Sequence, residues 1–157
     1  MMTPYEMRPY RPCVGIMLLN TQNQVFVGQR LDRSVEAWQM PQGGIDEGED
    51  PAHAGFREML EEIGTNNAVL IEEHQGWLNY DIPQDLADQL WQGRFRGQAQ
   101  KWLAFRFTGS EDEININTEE PEFRSWKWAN VTELPELAVP FKRDVYESVL
   151  AEFRHLF

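Results

Sequence analysis

Three glutamates occupy positions where a helix would bring their carboxylates onto one face. Glu58, Glu61 and Glu62 are three and four residues apart, and side chains at those spacings are neighbours on a helix surface. Three neighbouring carboxylates repel one another unless a cation lies between them. Oxygen ligands suit hard ions such as Mg²⁺ or Mn²⁺, and bound magnesium commonly bridges to substrate phosphates. The spacing therefore indicates a divalent-metal site for phosphate chemistry, with a solvated acidic helix face as the alternative.

The residues around these glutamates favour the metal site. Gly43-Gly44 permits sharp turns that a side chain would block, and Arg57 can hold a carboxylate with its forked donors. Glu49, in the preceding loop, can fold back toward the same face. Seven acidic side chains against one arginine give residues 43–64 a charge of −6, half of the chain's −12. Such a concentration of charge is costly by self-repulsion unless cations bind there.

The elements that must position this site are predicted from periodicity and from chain breakers. Asp50-Pro51 indicates an N-cap and a first-turn proline, and Gly64 suits the end of that helix. The intermixed strands and helices favour an α/β fold, a mixed β-sheet sandwiched between α-helices. We predict strands at 14–19, 25–29, 38–40, 69–73, 77–81, 101–107 and 123–128, with the first two forming a hairpin. We predict helices at 83–91, 132–137 and 141–157, loops at 33–36, 93–100 and 111–122, and a chain break at 41–44. We also predict that five tryptophans lie in the core: Trp38, Trp77, Trp102, Trp126 and Trp128.

The bulk properties place limits on the class of protein. A length of 157 residues predicts one domain spanning 1–157. The single cysteine, Cys13, excludes an internal disulfide and suits a small buried position. No apolar stretch resembles a signal peptide or a membrane span, so we expect a cytoplasmic protein with no membrane partner. A net charge of −12 is opposite in sign to that of a nucleic-acid coat protein, so a role in coating DNA is not expected.

The string from 43 to 64 resembles the Nudix box, the signature of a family of pyrophosphate-cleaving hydrolases. The matching positions are Gly43, Glu49, Arg57, Glu58, Met59, Glu61, Glu62 and Gly64. The last aliphatic position of the box holds Thr65, which we expect to loosen packing behind the helix without touching a ligand. The resemblance implies a Nudix fold, metal binding by Gly43, Glu58, Glu61 and Glu62, and Glu61 or Glu62 as the general base. It also implies that Arg57 and Glu49 form a supporting pair.

The resemblance extends beyond the box, over roughly Tyr10 to Phe153. The segments YRPCVGIMLLN, WQMPQGGI, QKW, EFRSWKW and FKRDVY are similar to the bacterial RNA pyrophosphohydrolase and dinucleoside polyphosphate hydrolase subfamily. This similarity implies that Glu122 is a further metal ligand and that Phe141 stacks on a base. It implies substrate binding by Arg11, Arg30, Lys101, Phe141 and Lys142. Without the family, Arg11 and Arg30 could equally be surface residues, and Phe141 a core residue.

The expected reaction is attack of water on a phosphorus atom, assisted by two or three Mg²⁺ or Mn²⁺ ions. Glu62 or Glu61 would accept the proton. The substrate would be a 5′-triphosphorylated RNA end, a dinucleoside polyphosphate, or both. One alternative is a dedicated diadenosine polyphosphate hydrolase with no RNA role. Another is a non-catalytic nucleotide-binding module, which would have no need for the complete carboxylate set.

Overall fold

A computed structural model describes residues 2–32 and 36–157. Within these residues a mixed sheet has the strand order β4-β6-β1-β2-β7, with β3 paired to β1 and β5 to β6. The strands are β1 (Tyr10–Leu19), β2 (Gln24–Arg30), β3 (Gln42–Gly44), β4 (Ala68–Glu73), β5 (Leu78–Asp81), β6 (Gly97–Phe107) and β7 (Phe123–Asn130). The α-helices are α1 (Pro51–Ile63), α2 (Gln84–Ala87), α3 (Leu134–Leu137) and α4 (Arg143–Glu152).

Strand β1 lies at the centre of the sheet and is covered on both faces. It runs parallel to β6 from the pair Tyr10 and Gly97 to the pair Leu19 and Arg106, and antiparallel to β2 and β3. Its continuous apolar sequence fits this position, because a strand covered on both faces has no solvent side. One core, on the α1 side, includes Val14, Ile16, Met59, Leu103 and Phe105. The other, on the α4 side, includes Met17, Trp102, Tyr146, Val149 and Phe153.

Helix α1 begins and ends where the sequence predicts. The Asp50 side chain accepts a hydrogen bond from the backbone N–H of Ala52 at 3.1 Å, and Pro51 is the first helical residue. At the other end Gly64 has φ +80° and its N–H donates to Leu60 at 3.1 Å. In the part of the chain that the structure describes, no helix is long and apolar enough to cross a membrane.

The predicted break at 41–44 is wrong, because Gln42–Gly44 forms strand β3. It pairs antiparallel with β1, where Cys13 faces Gly44 and Val14 faces Gly43. Glycine in a strand often marks a close approach of another group to the backbone, which explains why this segment has the sequence of a turn. The strand predicted at 38–40 is also wrong, since only Gln39 forms an isolated bridge, to Gly28.

The other elements differ mainly in their ends. The loop predicted at 93–100 is wrong over its second half, because β6 starts at Gly97. The helices predicted at 83–91 and 132–137 contract to α2 and α3, each one turn long. The predicted terminal helix 141–157 is α4 flanked by two 3₁₀ turns, Pro140–Lys142 and Arg154–Leu156. The acidic segment 111–122 is irregular apart from one short 3₁₀ turn. Residues 33–35 of the loop predicted at 33–36 lie outside the described residues.

Candidate active site

Arg57 connects the loop before α1 to the carboxylates on the helix. Its Nε and Nη2 each donate to Glu49 at 2.8 Å, and its Nη1 donates to Glu58 at 2.8 Å and to Glu61 at 3.3 Å. Nη2 also donates to the carbonyl of Gly44 at 2.9 Å. These bonds from Arg57, with one from the backbone of Asp46, hold the pKa of Glu49 well below its usual range. The guanidinium thus fixes the positions of α1, its preceding loop and β3 relative to one another.

Glu58 lies directly against the backbone of β3. A Cβ atom at Gly43 would be 2.0 Å from the carboxyl carbon of Glu58, so any side chain there would displace the carboxylate. Burial raises the pKa of Glu58, while the hydrogen bond from Arg57 lowers it. Gly43 therefore makes room for the Glu58 carboxylate. Metal binding by Gly43 itself, which the resemblance to the Nudix box implies, stays a prediction.

Glu62 is the most constrained of the three helix glutamates. It is 5% exposed, and its Oε2 has no hydrogen-bond partner among the described residues. Burial, and then the charges of Glu58 and Glu122, raise its pKa well above the usual range, whereas a backbone hydrogen bond from Gln42 acts in the opposite direction. A buried carboxylate oxygen without a donor is costly. A bound cation would satisfy this oxygen, so the residues present fit a hard divalent ion.

The three glutamates line a cleft of about 440 Å³. The facing wall is the acidic segment before β7, which adds Thr118, Glu119, Glu120 and Glu122. Among residues 2–32 and 36–157, no three acidic, cysteine or histidine side chains are drawn together as a bound ion would draw them. The Oγ1 atom of Thr118 is buried and, like Glu62 Oε2, has no hydrogen-bond partner within the described chain. Sequence reasoning identified Glu122 and missed the other three residues, for which the acidic run 111–122 was the available signal.

Two of the predicted phosphate-binding residues lie on the same side of the sheet as the cleft. Arg30 is 3.8 Å from Glu122 and 2.6 Å from Asp32, and its charge lowers the pKa of the buried Glu62 carboxyl. Lys101 pairs with Val14, which also pairs with Gly43. Directly paired residues share a face of a sheet, so Lys101 and Gly43 are both on the α1 side.

The other face of the sheet carries a group of amides, here called the glutamine cluster, of which Gln39, Gln98 and Gln100 are buried and Gln42 is half-buried. Gln42 donates to Gln98 and accepts from Gln100, both at 3.0 Å. Lys142 is 6% exposed, and its Nζ donates to Gln39 and Gln42 at 3.3 Å each. Lys142, which the sequence predicts to bind substrate, therefore also holds β3 in place through its hydrogen bond to Gln42.

Phe141 and Arg11 lie on the same side as the glutamine cluster. The half-buried ring of Phe141 stacks on Tyr80, with 6.0 Å between centroids and 26° between planes. Arg11 pairs with Gln98 in the sheet, and a Cβ atom at Gly44 would be 2.2 Å from its Nη2. The predicted substrate residues thus divide between two faces, with β3 at the boundary. Gly43 faces the carboxylates and Gly44 faces Arg11.

Thr65, the position where the sequence departs from the Nudix box, is well packed. The residue is buried, its Oγ1 donates to Glu113 at 3.2 Å, and it accepts from the N–H of Asn67 at the same distance. The expectation of looser packing behind the helix is therefore wrong, because the hydroxyl finds polar partners where an aliphatic group would have none.

Comparison with known proteins places this geometry in a family. Residues 9–149 match the NUDIX domain. An RNA pyrophosphohydrolase of Rhodospirillum rubrum is 62% identical over 144 residues, which cover 92% of this chain and 87% of that protein. One of Roseobacter denitrificans is 56% identical over 156 residues, covering 97% of this chain and 98% of that protein. The chain belongs to the NUDIX family, and the prediction of a hydrolase of that family is confirmed.

The fold is also that of a solved protein with a distant sequence. The Escherichia coli dihydroneopterin triphosphate pyrophosphohydrolase superimposes with a TM-score of 0.67 at 20% identity, covering 90% of this chain and 97% of that one. The predicted α/β Nudix fold is therefore confirmed.

Proposed function

We propose that this chain removes pyrophosphate from the 5′ end of triphosphorylated RNA. The observation that carries the proposal is the buried Oε2 of Glu62, which has no hydrogen-bond partner among the described residues and lies in a cleft lined by carboxylates. A buried carboxylate oxygen without a donor is costly, a bound cation would offset that cost, and cations held by carboxylates commonly bind phosphate. The RNA substrate is proposed from relatives that are more than half identical over most of their length.

Mg²⁺ or Mn²⁺ would be held by Glu58 and Glu62, with Glu61 and Glu122 completing two or three sites. When bound, such ions neutralise phosphate oxygens and lower the pKa of water. Glu62 suits the role of ligand because its Oε2, which has no hydrogen-bond partner in the described part of the chain, is buried in the cleft. The side chain of Glu61 is 57% exposed, and among the described residues its one hydrogen bond is the 3.3 Å contact with Arg57, so we propose Glu61 as the group that accepts the proton of the attacking water.

The remaining residues would bind and orient the RNA end. On the cleft side, Arg30 and Lys101 would neutralise the charge of the phosphates. The hydroxyl of Thr118, buried without a partner in the described chain, would donate a hydrogen bond to a phosphate oxygen. Across β3, Arg11 and Lys142 would contact the 5′ phosphates or the first nucleotides, and Phe141 would stack on a base. We propose the cytoplasm as the compartment of this activity.

The second candidate substrate is a dinucleoside polyphosphate. The net charge of −12 favours a small ligand over an extended nucleic acid, because long-range attraction to a phosphate backbone is absent. Both candidates require the same carboxylates and the same stacking residue. They differ in whether nucleotides beyond the first contribute to binding.

One comparison tests the proposal. Pyrophosphate release from 5′-triphosphorylated RNA and nucleotide release from diadenosine tetraphosphate are measured at equal concentrations, with Mg²⁺, with Mn²⁺ and with EDTA. We expect EDTA to abolish both activities, either metal to restore them, and RNA to have the higher kcat/KM. A higher value for diadenosine tetraphosphate would replace the RNA assignment with the second candidate. Full activity in EDTA would contradict the metal-dependent mechanism, and no turnover of either substrate would favour a binding module.

A further inference from the structure

Trp91 has a backbone conformation that bulky residues rarely adopt. Its φ is +47°, and the next two residues, Gln92 and Gly93, have φ of +61° and +71°. Three consecutive left-handed residues, two of which are not glycine, form a strained turn between α2 and β6. Strained conformations of this kind concentrate at ligand-binding sites and persist where the surrounding contacts hold them. The strained backbone therefore suggests that the Trp91 side chain has a functional role in addition to packing.

The ring of Trp91 packs on the guanidinium of Arg11. The distance from Arg11 Cζ to the ring centroid is 4.8 Å, and Phe95 supports the same ring edge-on, with centroids 5.9 Å apart. The guanidinium also contacts β3, since Gly44 leaves the space that a Cβ 2.2 Å from Arg11 Nη2 would fill. Arg11 is thus held between an aromatic ring and a glycine backbone.

No carboxylate neutralises Arg11 in the part of the chain that the structure describes, and there its guanidinium makes no hydrogen bond or ion pair. Other partly buried arginines are different. Arg8 pairs with Asp88, Arg96 with Asp81, and Arg57 with Glu49 and Glu58. An aromatic ring attracts a cation through its face and leaves both the charge and the in-plane N–H donors available. Arg11 is therefore prepared for an anion supplied from outside the chain.

We propose that Trp91 is a positioning residue, which holds the Arg11 guanidinium against β3 so that its N–H edge binds a phosphate of the substrate. This inference rests on the proposed function for the identity of that phosphate as part of a 5′-terminal chain. Gly44 links the two sides of the site, because its carbonyl accepts from Arg57 at 2.9 Å while its α-carbon contacts Arg11. A phosphate bound by Arg11 is thereby kept in register with the carboxylates that Arg57 holds.

The test uses the full chain and four variants: Trp91→Leu, Trp91→Phe, Arg11→Ala and the double variant Trp91→Leu/Arg11→Ala. Affinity for inorganic tripolyphosphate is measured by calorimetry with Ca²⁺, and kcat and KM are measured on triphosphorylated RNA with Mg²⁺. We expect Trp91→Leu to raise Kd and KM about 3–10-fold, the range of a partly desolvated cation–π contact, with kcat changed less than about twofold. Trp91→Phe keeps an aromatic face and should recover most of the loss. In the Arg11→Ala background, Trp91→Leu should have no further effect, since the two residues act as a unit.

The matched control is Trp77→Leu, because Trp77 is 49% exposed and should leave Kd, KM and kcat unchanged. Unchanged Kd in Trp91→Leu, or an equal loss in the presence and absence of Arg11, would overturn the inference. If Trp91→Leu melts too early for assay, Trp91→Phe is assayed alone and in the Arg11→Ala background, and an effect that persists without Arg11 also overturns it. Failure of the proposed function has a different signature, in which the wild-type chain binds tripolyphosphate but releases no pyrophosphate from RNA.

Discussion

On one side of β3, burial raises the pKa of both Glu58 and Glu62, the charge of Glu58 raises that of Glu62 further, and one oxygen of Glu62 has no partner in the described chain. On the other side, Gln98 and Gln100 are buried and Gln42 is half-buried, and the donors and acceptors of these amides bind one another. Both groups are polar, largely shielded from solvent, and adjacent to β3. The carboxylates can bind a cation, whereas the amides are neutral and hold β3 in place through their hydrogen bonds.

Gln42 belongs to both regions. Its backbone N–H faces Glu62, while its side chain is held by Gln98, Gln100 and Lys142. The amide side therefore determines where the backbone donor of the carboxylate side lies. This division of roles predicts that changes to the carboxylates alter the rate with little cost in stability, and that changes to the amides do the reverse.

The largest expected effect is on the carboxylate side. Glu61→Gln and Glu62→Gln remove charge with little change of volume, and at least one should lose about 10²–10⁴ in kcat, the range for a general base. Both should unfold at or above the wild-type temperature, because the substitution relieves like-charge repulsion without opening a cavity. Glu47→Gln is the control, since this acid is exposed outside the cleft. Near wild-type turnover in both cleft variants would contradict a catalytic role for this helix face.

On the amide side, Gln100→Leu should cost stability. Gln100 is buried, donates to Gln42 and accepts from the indole N–H of Trp102, both at 3.0 Å. Leucine would leave both groups buried with one partner fewer, at about 1–3 kcal/mol each, so we expect a loss of roughly 2–4 kcal/mol. Urea unfolding measures this value, and Gln89→Leu at an exposed position should change it by less than about 0.5 kcal/mol. Equal stability of the two variants would mean that the amides do not hold β3.

How much of each region could be predicted from the sequence depends on whether its residues interact with near or distant parts of the chain. Helix α1 has local signals at both ends, Asp50, Pro51 and Gly64, so its limits and the shared face of its glutamates were predictable. Strand β3 has no local signal, because its pairing partner β1 is distant in the sequence and its own glycines resemble a turn. The glutamines at the start of β6 resemble a loop for the same reason, since their polarity is satisfied only by one another.

Aromatic residues show the same limit. Trp102 is fully buried as predicted, yet Trp77 is 49% exposed, so its predicted core position is wrong. Both stand in or beside apolar strand segments, and only the packing of other elements distinguishes them. Thr118 was missed because the path of the acidic segment before β7 follows no periodicity. The position of Trp91 over Arg11 depends on a left-handed turn, which its sequence, lacking glycine at the first two positions, does not indicate.

Phe141 tests whether the amide side also contacts substrate. Its ring is half-buried and stacked on Tyr80, so both packing and base stacking are open to it. If it stacks on a base, Phe141→Ala should weaken RNA binding by roughly 1–3 kcal/mol and leave inorganic tripolyphosphate binding unchanged. A core role would instead cost about 3–5 kcal/mol of folding stability and affect both ligands alike. Thermal melting with binding assays on both ligands distinguishes these outcomes.

The smallest expected effect concerns the thiol at the centre of the amide side. Burial raises the pKa of Cys13 to about 11, and the hydrogen bond from Gln100 lowers it only in part. An unfolded cysteine has a pKa of about 8.5, so between these values the folded chain keeps a proton that the unfolded chain loses. Stability from the neutral thiol is therefore complete below pH 8.5 and is lost as the pH rises toward 11. Between pH 7.5 and 10 the wild-type free energy of unfolding should fall about 1–2 kcal/mol more than that of Cys13→Ala, as measured by urea unfolding at each pH. If the unfolding free energies of the wild type and of Cys13→Ala fall in parallel with pH, the thiol has the same pKa in the folded and unfolded chains. Water would then reach the amide side of β3, and the amide side would differ from the carboxylate side in charge but not in access to water.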